Sequence, residues 1–199
     1  MSAQPPPWAQ KNPGQPKTGF PTWAIVLIVA GGGFVLFGGI LSTLAIYGVR
    51  KYIANAKTAE ARNALGQIGK DAATAYELGS VSARGATTHR LCASASRPIP
   101  ASLSSIRGAK YQSTASEWEV DAARNAGFAC LKFEMAAPQY FRYSYTAAGQ
   151  SSPGDHFDAL AEGDLNGDGV TSEFRLTGKI GADKNLFVAP NILEKNPEE

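Results

Sequence analysis

The sequence predicts an α+β fold: a long N-terminal helix, its first half in a membrane, packed through its second half on an antiparallel sheet of about four strands. Three observations carry this. The chain runs from Thr18 to Val49 without a charge, and no proline interrupts it between Pro21 and Gly79. Small and apolar residues then recur at helical spacing as far as Tyr76. From Leu131 onward, apolar and polar residues alternate in short runs divided by Pro, Gly, Asn and Asp. A chain of 199 residues with 44% hydrophobic content allows one compact domain rather than two.

The uncharged run covers 32 residues, whereas a bilayer core needs about 20 in a helix. A cleaved secretory signal has a shorter apolar region, about 7–15 residues, and a small-residue cleavage site, so residues 20–49 read as a transmembrane helix. Pro21 suits the first helical turn, Trp23 a headgroup belt, and Tyr47 with Arg50 and Lys51 the opposite interface. Upstream, residues 1–19 are rich in Pro, Gln and Lys and have no apolar face to bury. They read as a disordered tail, serving as a spacer or as a short polyproline docking segment anchored on Trp8.

Residues 50–79 continue the helix. Ile53, Ala56, Ala61, Ala64, Leu65, Ile68, Ala72, Ala75 and Tyr76 form its packing stripe, with Lys57, Glu60, Arg62 and Lys70 mostly elsewhere on the circumference. Gly66 and Gly69 each weaken a helix by roughly 1 kcal/mol relative to Ala, but their smallness allows a packed partner to approach closely.

Residues 80–199 make the globular region. Ser80 to Ser116 lacks periodicity and carries Arg84, Arg90, Arg97, Arg107 and Lys110 with no acid. It reads as an irregular connection whose bases are balanced elsewhere, with an anionic-ligand or DNA-binding surface as the alternative. Lys11 and Lys17 are the only charges before Arg50, so 17 basic and 17 acidic residues follow, and no strong nucleic-acid signal arises. Four strands are expected: CLKFEM with Leu131, Phe133 and Met135 on one face; QYFRYSYTA with Phe141, Tyr143 and Tyr145; then FDALAEGDL and VTSEFRLTGKI, joined by the turn signals of NGDG. Trp118 and the aromatic run read as core.

No catalytic constellation is present. His89 and His156 lie in no two-ligand spacing, and with Cys92 and Cys130 they lack the C-x-x-C or H-x-x-x-H pairs of a zinc set. The two cysteines both follow the membrane span. They are expected to pair, since closing a loop of about 39 residues stabilises by roughly 4 kcal/mol in the chain-entropy model; two buried thiols are the alternative. Asp164, Asn166, Asp168, Gly169, Val170 and Ser172 follow D-x-N-x-D-G-x-x-S, the first nine positions of a calcium loop, with the Val170 carbonyl as one ligand. The twelfth position, a bidentate acid in such loops, is Arg175, which leaves Glu173 as the substitute. A tight turn requires the same Asn, Asp and Gly residues with no metal.

The run YIANAKTAEARNALGQIGKDAATAYE, directly after a membrane span, resembles the emerging helix of type IV pilins and type II secretion pseudopilins. DHFDALAEGDLNGDGVTSEFRLTG resembles their final hairpin. The likeness covers roughly residues 20 to 180. It implies a pilin-like fold and a non-enzymatic fimbrial-type subunit of a pilus or pseudopilus. Its partners would be the membrane and other pilin-like subunits or itself, and calcium would sit in the C-terminal region, as in major pseudopilins. Lys17, Gly19 and Phe20 match the family's leader and processing site. Pro21 follows the cut, however, and the family's glutamate at the fifth mature position is here Ala24. Gly38, Gly39, Ala54 and Ala61 are the candidate helix-contact positions. The alternative is a stand-alone membrane-anchored binding module. Lys and Arg counts beside the span (Lys11 and Lys17 against Arg50, Lys51, Lys57 and Arg62) favour a cytoplasmic C-terminal side. The resemblance and the cysteines imply the reverse: a bacterial inner-membrane protein with a cytoplasmic N-terminus and a periplasmic or extracellular domain.

Overall fold

A computed structural model describes residue 19 and residues 21–81 and 87–199. The tail through Thr18, with Trp8, and Phe20 of the processing site lie outside the described residues. The chain divides into two units, residues 1–47 and 48–199. One helix, α1 (Thr22–Leu78), contributes to both.

In the first unit α1 is apolar around its whole circumference, and its most apolar 18-residue window is entirely unburied. By length and composition it can cross a membrane. A Cβ added at Gly31, Gly32, Gly33, Gly38 or Gly39 would meet nothing within 4 Å.

In the second unit α1 ends on Gly79, whose φ of 60° lets its amide turn back to the Ala75 carbonyl. Ala61, Ala64, Leu65, Ile68, Ala72 and Tyr76 are buried as the stripe predicts. Ile53 and Ala56 are exposed instead, and the fully buried residue of that turn is Thr58, whose hydroxyl donates to the Asn55 carbonyl. The sheet therefore meets α1 only from about Thr58 onward.

After α1 come two-residue strands β1 (Ser80–Val81) and β2 (Thr87–Thr88), paired antiparallel. An irregular stretch follows, broken by a 3-10 turn at Leu103–Ile106 and short helices α2 (Ala115–Trp118) and α3 (Gly127–Leu131). The main sheet has strands β3 (Arg142–Ala148), β4 (His156–Gly163), β5 (Ser172–Ile180), β6 (Leu186–Val188) and β7 (Leu193–Lys195). Its order is β3-β4-β5-β6, and β7 also pairs with β5, beside residues 173–175, while β6 pairs beside 178–180.

The alternation in β3, β4 and β5 sets one face against α1. Tyr143 lies opposite Ala161, which lies opposite Phe174; Tyr145, Ala159 and Leu176 form the next row. Each of these two rows thus places a small residue between two large ones. The third row, Ala147, Phe157 and Gly178, inverts the pattern: Phe157 lies between two small residues, and a Cβ at Gly178 would stand 2.2 Å from its ring.

The expected strand at Cys130–Met135 is not one. Leu131 closes α3 and Lys132 takes a left-handed φ of 60°. The Phe133 amide then donates to the Phe128 carbonyl, and the Lys132 amide to the Ala129 carbonyl, a Schellman stop. Leu131 and Phe133 are nonetheless buried, with Phe133 edge-on to Trp118. Trp118 is core as read, its indole N–H donating to Ser113 Oγ, which in turn donates to Gln139 Oε1.

Candidate functional site

The loop after β4 places its Asx residues in sequence. Asp164 is 3% exposed, and its carboxylate accepts from the amides of Gly167 (2.7 Å) and Gly169 (3.0 Å). Arg107 Nε lies 3.4 Å from the same carboxylate, and the Gly108 amide donates to the Asp164 carbonyl. Asn166 Oδ1 accepts from the Asp168 amide, and Asp168 Oδ1 from the Val170 amide. Each polar side chain of the D-x-N-x-D pattern therefore caps backbone two to five residues ahead, and Gly167 and Gly169 supply the positive φ values of 82° and 95°. Ser172 is buried and donates to the Gly163 carbonyl, closing the base of the turn.

The acid expected to complete a calcium loop is placed elsewhere. Glu173 accepts from Arg175 at 2.9 Å on the half-exposed face of β5. The carboxylate that does reach the loop is Glu199, which accepts from Asn166 Nδ2 at 2.5 Å. No spacing rule points to it, because the partners are 33 residues apart. Among the described residues, no three or more His, Cys, Asp or Glu side chains are grouped to hold a metal. A cation at Asp164 would compete with two amides and a guanidinium.

Cys92 and Cys130 form a disulfide across a separation of 38 residues, with Cα atoms 5.9 Å apart. It ties the extended segment beside β3 to α3, and the Gly127 amide donates to the Ala93 carbonyl next to it. Gly127 has a φ of 52°, and a Cβ there would fall 2.6 Å from Ala95 Cα. Both sulfurs are thus committed to each other. His89 Nδ1 lies 2.9 Å from the Tyr76 carbonyl at the end of α1, and His156 begins β4.

The small residues of α1 sort by what faces them. Ala61, Ala64, Ala72 and Gly69 are turned to the sheet; a Cβ at Gly69 would stand 2.7 Å from Leu176 Cδ2. Ala61, offered by the sequence as a contact position, is fully buried inside the domain and has no surface to present, a correction forced by its place on the sheet-facing stripe. Ala54 is half-exposed, and Gly66 has open space beyond its Cα. Gly38 is half-exposed and Gly39 exposed.

Arg62 and Glu60 are among the side chains that bind α1 to the rest of its unit. Arg62 makes a bidentate pair with Glu194 of β7, at 2.7 and 2.9 Å. Glu60 accepts from the Tyr140 amide (2.7 Å) and the Tyr143 hydroxyl (3.3 Å). Burial pushes the Glu60 carboxyl above its ordinary range, outweighing these hydrogen bonds and the nearby Lys110. Lys57 and Lys110 both stand over the Tyr140 ring, 4.9 and 4.7 Å from its centre.

No family model, curated protein or solved structure matches this chain.

Proposed function

We propose that this chain is a membrane-anchored, non-enzymatic, pilin-like subunit of a type IV pilus or secretion pseudopilus, which associates with like subunits through α1. The observation that carries the reading is α1 itself. Its first part exposes apolar and glycine surface on every side, and its second part covers one face of an antiparallel sheet while Ala54 and Gly66 stay open. In lipid, small residues let helix backbones approach closely, and the resulting van der Waals contact drives association. The disulfide supports an oxidising location for the domain, with the N-terminus in the cytoplasm of a bacterial inner-membrane protein. No cofactor enters this reading.

A second reading, a stand-alone anchored binding module, is favoured by Pro21 and Ala24 at positions where the resembled family has other needs. It is favoured also by the share of small α1 residues already spent on the sheet. Mass spectrometry of the protein from its native membrane separates the two. A mature chain beginning at Phe20 supports the subunit; a chain with an intact Met1 or Ser2 start supports the module.

A further inference from the structure

We infer that a cleft beside the disulfide is a binding site for a small organic carboxylate. The cleft lies between the end of α1, the segment Arg90–Ala93 and the residues before α3, and holds about 310 Å³. That is the lower end of the range of small-molecule sites, about 300–1,000 Å³. Its polar side chains are Arg90, Arg124, Asn125 and Gln150, and none of the described residues lining it is acidic.

The charge in the cleft is what selects an anion. Among the bases of the acid-free stretch 80–116, Arg107 pairs with Asp164, Lys110 acts on Glu60, and Arg97 acts on Glu117 and Tyr111. Arg90 differs: its hydrogen bond goes to the neutral Gln150 Oε1, and no described carboxylate pairs with it. Arg124 pairs through Nη2 with Asp121, which is buried and also accepts from the Ser96 amide. A guanidinium carries five N–H groups, so that pair leaves Arg124 donors to spare. Two guanidinium groups on one cleft suit bidentate carboxylate recognition.

The remaining lining selects an organic body over a bare inorganic ion. Asn125, fixed by a left-handed φ of 45°, and Gln150 supply amide donors and acceptors, while Ala75, Leu91 and Ala93 supply apolar wall. The carbonyl end of α1 also borders the cleft and would repel an anion. Two of those carbonyls are already engaged, Ala75 by the Gly79 amide and Tyr76 by His89. This site is independent of whether α1 assembles with other subunits.

Calorimetric titration of the full chain in neutral detergent with citrate, and separately with inorganic phosphate, tests the inference. One citrate is expected to bind per chain, more tightly than phosphate, and Arg90→Gln should weaken it by about tenfold, the size of one charge-assisted contact. Arg124→Lys, which keeps the charge and loses the fork, should weaken it to a smaller degree, and Arg97→Gln, outside the cleft, should leave it unchanged. Arg90 is exposed, so its replacement should preserve the near-ultraviolet circular dichroism of the domain. Absence of heat at millimolar citrate, equal binding by a folded Arg90→Gln variant, or phosphate binding as tightly as citrate would each overturn the proposal.

Discussion

Gly66 and Gly69 lie one turn apart on α1, yet only Gly66 should gain stability when replaced by alanine. In a helix interior, Gly→Ala gains about 0.5–1 kcal/mol, through lower backbone entropy in the unfolded chain. At Gly66 nothing lies within 4 Å of the added Cβ, so the full gain should appear. At Gly69 the Cβ would stand 2.7 Å from Leu176 Cδ2 and 3.3 Å from Val188 Cγ1. Leu176 is itself only 4% exposed, so it can yield only by repacking. Overpacking of this kind costs about 1–3 kcal/mol, leaving Gly69→Ala near neutral to about 2 kcal/mol destabilised. For a unit of this size each kcal/mol moves the melting temperature by about 2–4 °C. Thermal and urea unfolding of the two variants, followed by near-ultraviolet circular dichroism, gives the comparison. If Gly69→Ala stabilises as much as Gly66→Ala, α1 does not press on β5 at that point, and the packing described is wrong.

Reduction of the Cys92–Cys130 disulfide should lower stability by up to roughly 4 kcal/mol, and thiol labelling of the unreduced, denatured chain should detect no free thiol. Glu60→Ala should cost about 1–3 kcal/mol, because it leaves the Tyr140 amide without its acceptor; Glu60→Gln keeps an acceptor and should cost less. Because burial raises the Glu60 pKa, the folded state holds this proton more tightly than the unfolded chain does. Its stabilising contribution is complete below the ordinary glutamate pKa and is lost as pH rises through the folded value. Wild type should therefore lose stability relative to Glu60→Gln as the pH is raised from 4 to 7, and a constant difference across that range would contradict the burial argument. Asp164→Ala should destabilise by about 1–3 kcal/mol through the orphaned Gly167 and Gly169 amides. Millimolar calcium should leave the wild-type melting temperature unchanged, whereas a clear rise would show that a cation displaces Arg107 from Asp164.

The features legible in the sequence were those with long or strict periodicity. α1 was readable because 32 uncharged residues and an uninterrupted helical spacing leave few other structures open. β3, β4 and β5 were readable from strict alternation bounded by turn residues. Leu131, Phe133 and Met135 alternate just as well, but a left-handed Lys132 ends a helix there, and a three-residue alternation cannot distinguish the two. β6 and β7 are three residues each and carry no period; they form because the edge of β5 is free to accept them. Pairings across long separations left no local trace: Arg107 with Asp164, Glu60 with Tyr140, and Glu199 with Asn166. The NGDG signal identified the turn, and the carboxylates of Asp168 within it and of Asp164 just before it are used to build that turn.

The central claim is that α1 is the surface through which copies of this chain, or of like chains, meet in the membrane. Single cysteines placed at Ala45, Ala54 or Ala61, with the native disulfide retained, followed by oxidative cross-linking in intact cells, address it most directly. The account predicts adducts at Ala45, which is exposed, and at Ala54, which is half-exposed. It predicts none at Ala61, which is sealed against the sheet. Absence of adducts at both Ala45 and Ala54, in cells holding normal amounts of folded protein, would contradict the subunit role and leave the anchored binding module.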